Sequence, residues 1–206
     1  MVEHPRAFPW RHVCRIEILW PDGRAGAGTG WLASPGAVVT AGHCVFSSRP
    51  QVGWARSLRL FFPDGRTFEL DAPDLRTTER WGNELNDEYD YGAILLPEPV
   101  DDTFLEARAL VEEDFLAPVF VAGYPLDRPA NLWSATGPIF PNPHRRRLLR
   151  HAADTEIGES GAPLLRAEHG SHRVVGIHIQ GESDAANLAV AFIPAVVETI
   201  GAWAGN

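Results

Sequence analysis

Apolar positions in this 206-residue chain recur mostly in short alternating runs, each closed by Gly, Pro, Asp or Asn. RIEILW (15–20) leads into the turn PDGRAGAG, TGWLAS (29–34) follows, and PGAVVTAG ends at a His-Cys pair. SLRLFF (57–62) and RTFEL (66–70) flank Pro-Asp-Gly and predict a hairpin, since Asp-Gly suits a tight turn between alternating strands. YGAILL (91–96), stopped by PEP, completes a first set. A second set comprises PVFVAGY (118–124), LWSATGPIF (132–140), GAPLLRA (161–167), RVVGIHIQG (173–181) and NLAVAFI (187–193). Helical spacing appears only in PAVVETIGAWAG at the end, with Pro near its start, where a missing N–H costs nothing.

Many short strands followed by one terminal helix predict an all-β barrel or sandwich. The stretch DDTFLEARALVEED (101–114) reads as a linker with room for a helical turn. It divides the strands into two nearly equal lobes, 1–105 and 116–206. No apolar run approaches the roughly 20 residues that cross a bilayer, so no membrane partner is expected. The first residues lack the apolar core of a secretion signal, which predicts a cytoplasmic chain, or a secreted one if the sequence is a trimmed mature form. A net charge of -9 argues against general nucleic-acid binding. The basic segment HRRRLLR (144–150) is the local exception, either a solvated loop or an anion-attracting rim beside a cleft. Cys14 and Cys44 are too few for a disulfide framework or a structural zinc site. They make one bridge or two free thiols, and neither metal nor cofactor is expected.

Three segments carry candidate chemistry. TAGHC places His43 just after a strand, EYDYGAILL places Asp90 at a strand entry, and ADTEIGESGAPLL (152–164) sets Ser160 between glycines. Singly these are a structural histidine, a capping acid and a turn serine. Together they supply what a weak hydroxyl nucleophile needs: an adjacent base, and an acid that holds the base's tautomer.

GTGWLASPGAVVTAGHCV (28–45), YDYGAILL (89–96), VAGYP (121–125), DTEIGESGAPL (154–164) and VVGIH (174–178) together resemble the trypsin-like serine peptidases. Within them the resemblance is to the glutamyl endopeptidase branch. It implies two packed antiparallel β-barrels of the chymotrypsin type with a C-terminal α-helix. It also implies a catalytic triad of His43, Asp90 and Ser160, and an oxyanion hole from the N–H groups of Gly158 and Ser160. Thr155 and His178 match the positions credited with selecting Glu, with His178 favoured in its charged form beside a substrate carboxylate. Ile179 to Gly181 would offer a strand edge to the substrate backbone. The implied function is a serine endopeptidase acting on peptide or protein substrates, cutting after Glu and secondarily Asp. A different specificity (Asp154 lies near enough to serve as an acidic pocket floor), an esterase and a catalytically silent peptide-binding relative are the alternatives.

Relatives of this branch are mostly secreted, with a signal and a propeptide. The initial Met instead suggests an intracellular peptidase, or a domain of a larger protein with a fused or regulatory partner. The family partner of the cysteine after the active-site histidine has no counterpart at Ala27 or Gly28, so Cys44 is expected to be free. Glu159, just before the nucleophile, either faces solvent or pairs with a freed N-terminal amine.

Overall fold

The computed structural model describes residues 1–168, 170–183 and 186–205. The first lobe contains β1 (Val13–Leu19), β2 (Ala25–Ser34), β3 (Ala37–Thr40), a side ribbon of β4 (Phe46–Ser47) and β5 (Gly53–Trp54), then β6 (Ser57–Phe61), β7 (Thr67–Asp71), β8 (Asp74–Thr77), the short helix α1 (Glu79–Glu84) and β9 (Gly92–Leu95). Next come β10 (Glu106–Ala107), β11 (Val119–Gly123), β12 (Trp133–Gly137) and β13 (Ile139–Pro141). The chain then forms β14 (Leu148–His151), β15 (Pro163–Glu168), β16 (Ser171–Ser183), β17 (Ala186–Ala191) and helix α2 (Pro194–Ala204).

The strands make two curled sheets, arranged as a chymotrypsin-like double barrel. The first runs β7-β6-β1-β2-β3-β9-β8 and the second β12-β11-β15-β16-β17-β14-β13, with β10 joining β16 at its side. Neighbours are antiparallel except β10 against β16. The hairpin expected at 57–70 forms as β6 and β7, and Gly65 takes φ +97° in its turn. The run expected as one strand at 132–140 is split into β12 and β13 at Pro138, which has no N–H to give to a ladder. The linker region supplies β10 and a single 3-10 turn, Glu112–Leu116.

Burial follows the alternation. Val13, Cys14, Ile16 and Ile18 of β1 are buried, while Leu19 is exposed. One apolar cluster takes in buried residues of both lobes, with Trp31 and Phe192 ring centroids 6.4 Å apart, and a second lies within the second lobe around Val121, Leu164 and Val175. Helix α2 opens on Pro194 and ends at Gly205, whose φ of +78° suits a glycine cap. It turns Val196 and Ile200 inward, four residues apart on one face, and Trp203 packs on Tyr91 of the first lobe at 5.6 Å. The C-terminal helix thereby ties the second lobe back to the strand that follows Asp90.

Candidate active site

His43 lies in a 3-10 turn, Gly42–Cys44, at the end of β3, and Asp90 in the turn before β9. Because β3 and β9 pair antiparallel, with Thr40 opposite Gly92, their ends bring the two residues together. Asp90 is buried and holds His43 twice: Oδ1 accepts the backbone N–H at 2.8 Å and Oδ2 meets Nδ1 at 2.7 Å. Gly42 permits this approach, since a Cβ there would sit 3.0 Å from Asp90 Oδ1. Burial opposes charging of His43, but the adjacent carboxylate outweighs it and raises the imidazole well above its ordinary value. Helix α1, capped by the Thr78 hydroxyl accepting from the Trp81 N–H, packs Trp81 beside His43 with centroids 6.2 Å apart.

Ser160 sits on the turn before β15, and its hydroxyl donates to the Ile179 carbonyl at 3.3 Å. Its own carbonyl lies 3.7 Å from Cys44 Sγ, next to His43. The turn is clamped by Thr29 of β2, a fully buried residue that no sequence motif marks as functional. The Thr29 N–H donates to Ser160 O at 2.8 Å and its hydroxyl donates to Gly158 O at 3.0 Å. The same hydroxyl accepts the Tyr124 N–H at 3.0 Å. Gly158 has φ +102°, and a side chain there would press on Tyr124 O at 2.6 Å. Gly161 is more constrained still: at φ +90°, a Cβ would lie 2.1 Å from Thr29 O. Among the described residues the N–H groups of Gly158 and Ser160 have no hydrogen-bond partner, so both can receive an oxygen.

His178 of β16 is brought directly behind this turn, for the Gly161 N–H donates to His178 O at 2.8 Å. Its side chain is 3% exposed and its Nδ1 lies 3.0 Å from Nε2 of His151, at the end of β14. Burial drives His151 down to about 4 and holds His178 well below its usual value, so both are neutral near pH 7 in the free protein. The charged His178 expected beside a substrate is therefore not the resting state. Thr155 is half-buried, whereas Asp154 is exposed and is no buried pocket floor. From Ile179 onward, β16 pairs only with β17 among the described residues, leaving its other edge open through Gly181.

Glu159 meets neither solvent nor, in this form of the chain, an N-terminal amine. The side chain is 4% exposed, so it does not face solvent, and it packs beneath Gly123, where a Cβ would be 2.9 Å from Glu159 Cγ. Its Oε2 accepts the Glu156 N–H at 2.7 Å, which closes the loop rather than receiving an N-terminal amine. Burial pushes this carboxyl up to about 7. HRRRLLR is a solvated loop only in part: His144 and Arg146 are exposed, whereas the rest of the segment is engaged. Leu148, Leu149 and Arg150 belong to β14, and Arg145 pairs with Asp87 at 3.2 Å. Arg147 covers the Tyr89 ring at 4.3 Å, so the segment fastens the second lobe to the turn that carries Asp90. Cys14 and Cys44 are both free and buried. Among the described residues, no group of three or more His, Cys, Asp or Glu side chains is placed to hold a metal ion.

A family model described as trypsin-like peptidase domain matches residues 28–177. The chain is similar to a glutamyl endopeptidase of Bacillus licheniformis, with 28% identity over 80% of the chain and 51% of the relative. It is also similar to a protein of Bacillus subtilis named an extracellular metalloprotease, with 29% identity over 97% of the chain and 66% of the relative. The chain thus spans about half of the first of these relatives and about two thirds of the second. A solved Glu endopeptidase in complex with MPD superposes with a TM-score of 0.83 at 19% identity, covering 100% of this chain and 95% of that one. A protease of Arthrobacter nicotinovorans superposes with a TM-score of 0.78 at 16% identity, over 95% of this chain and 96% of its own. At these identities the superpositions speak for the fold.

Proposed function

This chain belongs to the trypsin-like peptidase domain family, and on that premise we propose that it is a serine endopeptidase that cuts preferentially after Glu, then Asp. The observation that carries the reading is the doubly bonded His43–Asp90 pair beside a Ser160 turn in which the Gly158 and Ser160 N–H groups have no partner among the described residues. Ser160 Oγ attacks the peptide carbonyl while its proton passes to His43 Nε2. Asp90 keeps the proton on Nδ1 and stabilises the imidazolium that forms, without taking the proton itself. The carbonyl oxygen, now negative, accepts from the Gly158 and Ser160 N–H groups, and one such donor is typically worth roughly 100- to 1,000-fold in rate. His43 returns its proton to the leaving amine, and water repeats the sequence to free the acyl group. The hydroxyl must rotate from the Ile179 carbonyl to His43 for the first step.

Glu preference rests on His178, held by His151, with Thr155 at the side. A substrate carboxylate brought against a buried neutral imidazole draws a proton onto it, because an unpaired buried charge is costly. Gln, of similar shape but uncharged, gains no such ion pair. A panel of otherwise identical peptides carrying Glu, Asp, Gln, Phe or Arg before the cut bond tests both halves. Cleavage after Glu that disappears in Ser160→Ala is the expected result. Preference for Arg or Phe would remove the Glu reading, and absence of cleavage together with failure of a fluorophosphonate probe to label Ser160 would remove the peptidase reading.

A further inference from the structure

The acyl side of a substrate accounts for the surface from Thr155 to Gly181 but leaves two cavities beside the nucleophile without an occupant. The larger, about 480 Å3, is walled by Glu17, Leu19, Ala25, Ala27, Leu126 and Pro129. The geometry points to it as the site for a large apolar side chain, aromatic or long aliphatic, on the second substrate residue beyond the cut bond. This inference rests on the peptidase reading above and extends it to the leaving side.

Both walls of the cavity reach the catalytic turn. Leu126 donates its N–H to Ile157 O at 2.7 Å, and a Cβ on Gly158 would lie 2.8 Å from Leu126 N. The opposite wall, Ala25 to Ala27, runs directly into Gly28 and Thr29, and Thr29 holds the Ser160 carbonyl. A smaller cavity of about 250 Å3 shares Ala25, Gly26 and Ala27 and is closed by Trp20, His43 and Cys44. Residues 25–27 pair with β1 on one side, whereas β3 joins β2 only from Gly30 onward. Among the described residues, their second edge is open to an extended peptide.

Direction and alternation then assign the two cavities. A substrate whose upstream residues lie along Ile179 to Gly181 must leave past His43 and the open edge of β2. Successive side chains of an extended strand point to opposite faces. The first leaving residue turns toward the cavity at His43 and Cys44. The second turns toward the face of β1 that carries Arg15, Glu17 and Leu19.

The chemistry of the lining selects apolar groups. Its charges are satisfied among themselves: Arg15 pairs with Glu17 at 2.5 Å and stacks over Phe61 at 4.2 Å, and Arg59 reaches the same Glu17 at 3.4 Å. What remains open in the lining is mostly carbon. Leu19 and Leu126 of the lining are 39% and 54% exposed, and Leu126 leads through its bond to Ile157, itself 80% exposed, into the catalytic turn. Apolar surface of this extent at a cleft is covered when the ligand arrives.

The test is a peptide series with Glu fixed before the cut bond and Gly, Asp, Arg, Leu, Phe or Trp at the second position after it. Leu, Phe and Trp are expected to exceed Gly in kcat/KM by about tenfold or more, since burying such a side chain is worth at least that factor. Leu126→Asp and Leu19→Asp should each cut that ratio to below about threefold. Both side chains are exposed, and circular dichroism verifies that the variants fold; the wild-type series decides alone if they do not. A flat wild-type series with cleavage after Glu intact overturns the inference and leaves the peptidase reading standing. A flat series with a concentration-dependent dimer that Leu126→Asp dissolves assigns the cavity to a second copy of the chain instead, which also overturns it. A folded wild-type protein that cleaves no member, and whose Ser160 resists a fluorophosphonate, overturns both readings at once.

Discussion

Replacing Thr29 with Val isolates the contact that joins the lobes at the nucleophile. Valine keeps the shape but loses the hydroxyl that donates to Gly158 O and accepts from the Tyr124 N–H, each at 3.0 Å. Thr29 is fully buried, so water cannot replace either bond. Leaving a buried backbone group unpaired costs about 1–3 kcal/mol, and two such groups cost about 2–6 kcal/mol. With partial relaxation, a loss near 3 kcal/mol corresponds to a fall in Tm of roughly 6–12 °C for a chain of this size. A kinetic effect should accompany the thermal one. The same hydroxyl fixes the peptide between Gly158 and Glu159, and kcat on a Glu peptide should drop at least about tenfold while KM changes little. Thr29→Ser retains the hydroxyl and loses a methyl, worth about 1 kcal/mol, and should keep kcat within about threefold. Urea denaturation and steady-state kinetics of the three proteins decide. If Val is within about 0.5 kcal/mol and twofold in kcat of the wild type, Thr29 does not organise the turn.

Glu159 has a folded pKa of about 7, above its unfolded value, so the stability linked to its neutral form is complete below about pH 4.5 and lost as pH rises through 7. Glu159→Gln should therefore raise Tm at pH 8, by up to about 3 kcal/mol of stability, with the gain vanishing near pH 4; unchanged turnover would also exclude an activation switch at this residue. His178 starts well below its ordinary pKa and takes a proton only with a bound carboxylate, so the Glu-to-Gln ratio of kcat/KM should be larger at pH 6 than at pH 8 by roughly tenfold or less, and should flatten in His178→Ala. The raised pKa of His43 acts on all substrates alike, so kcat/KM should climb with pH through that titration for Glu and Gln peptides together. Gly161→Ala forces a Cβ to 2.1 Å from Thr29 O at φ +90° and should abolish both the folded signal by circular dichroism and activity, whereas Gly201→Ala on α2, with nothing within 4 Å, should stabilise by about 0.5–1 kcal/mol.

What could be read from the chain was what repeats at short range. Alternation and Asp-Gly marked β6 and β7 because a hairpin needs no distant partner to declare itself, and Pro194 with Gly205 bracketed α2 for the same reason. Helix α1 escaped because ERWGNE has one buried residue, Trp81, and no apolar stripe; its start at Thr78 is the one local signal it carries. Strand β14 escaped because three consecutive arginines outweigh Leu148 and Leu149, although the guanidinium groups of Arg145 and Arg147 are spent on Asp87 and Tyr89 across the lobe boundary. Charge in a sequence says nothing of the partner that will meet it.

The site divides along the same line. His43, Asp90 and Ser160 stand in local settings distinctive enough to be picked out, and the pairing of β3 with β9 brings two of them together. Thr29 and His151 do as much to arrange the site, yet each acts through a contact across 129 and 27 residues of chain respectively. Thr29 lies inside the segment GTGWLAS, where a β-branched residue in a strand is ordinary. Its hydroxyl matters only because Gly161, with no Cβ, lets the nucleophile turn close on it. The glycines are the local signal of that contact: a Thr between glycines on one lobe and a Gly-Glu-Ser-Gly turn on the other both suit close backbone approach. A glycine that bends the chain and a glycine that makes room for a distant neighbour look alike in one dimension. Gly161 does both, and the backbone it makes room for is that of Thr29.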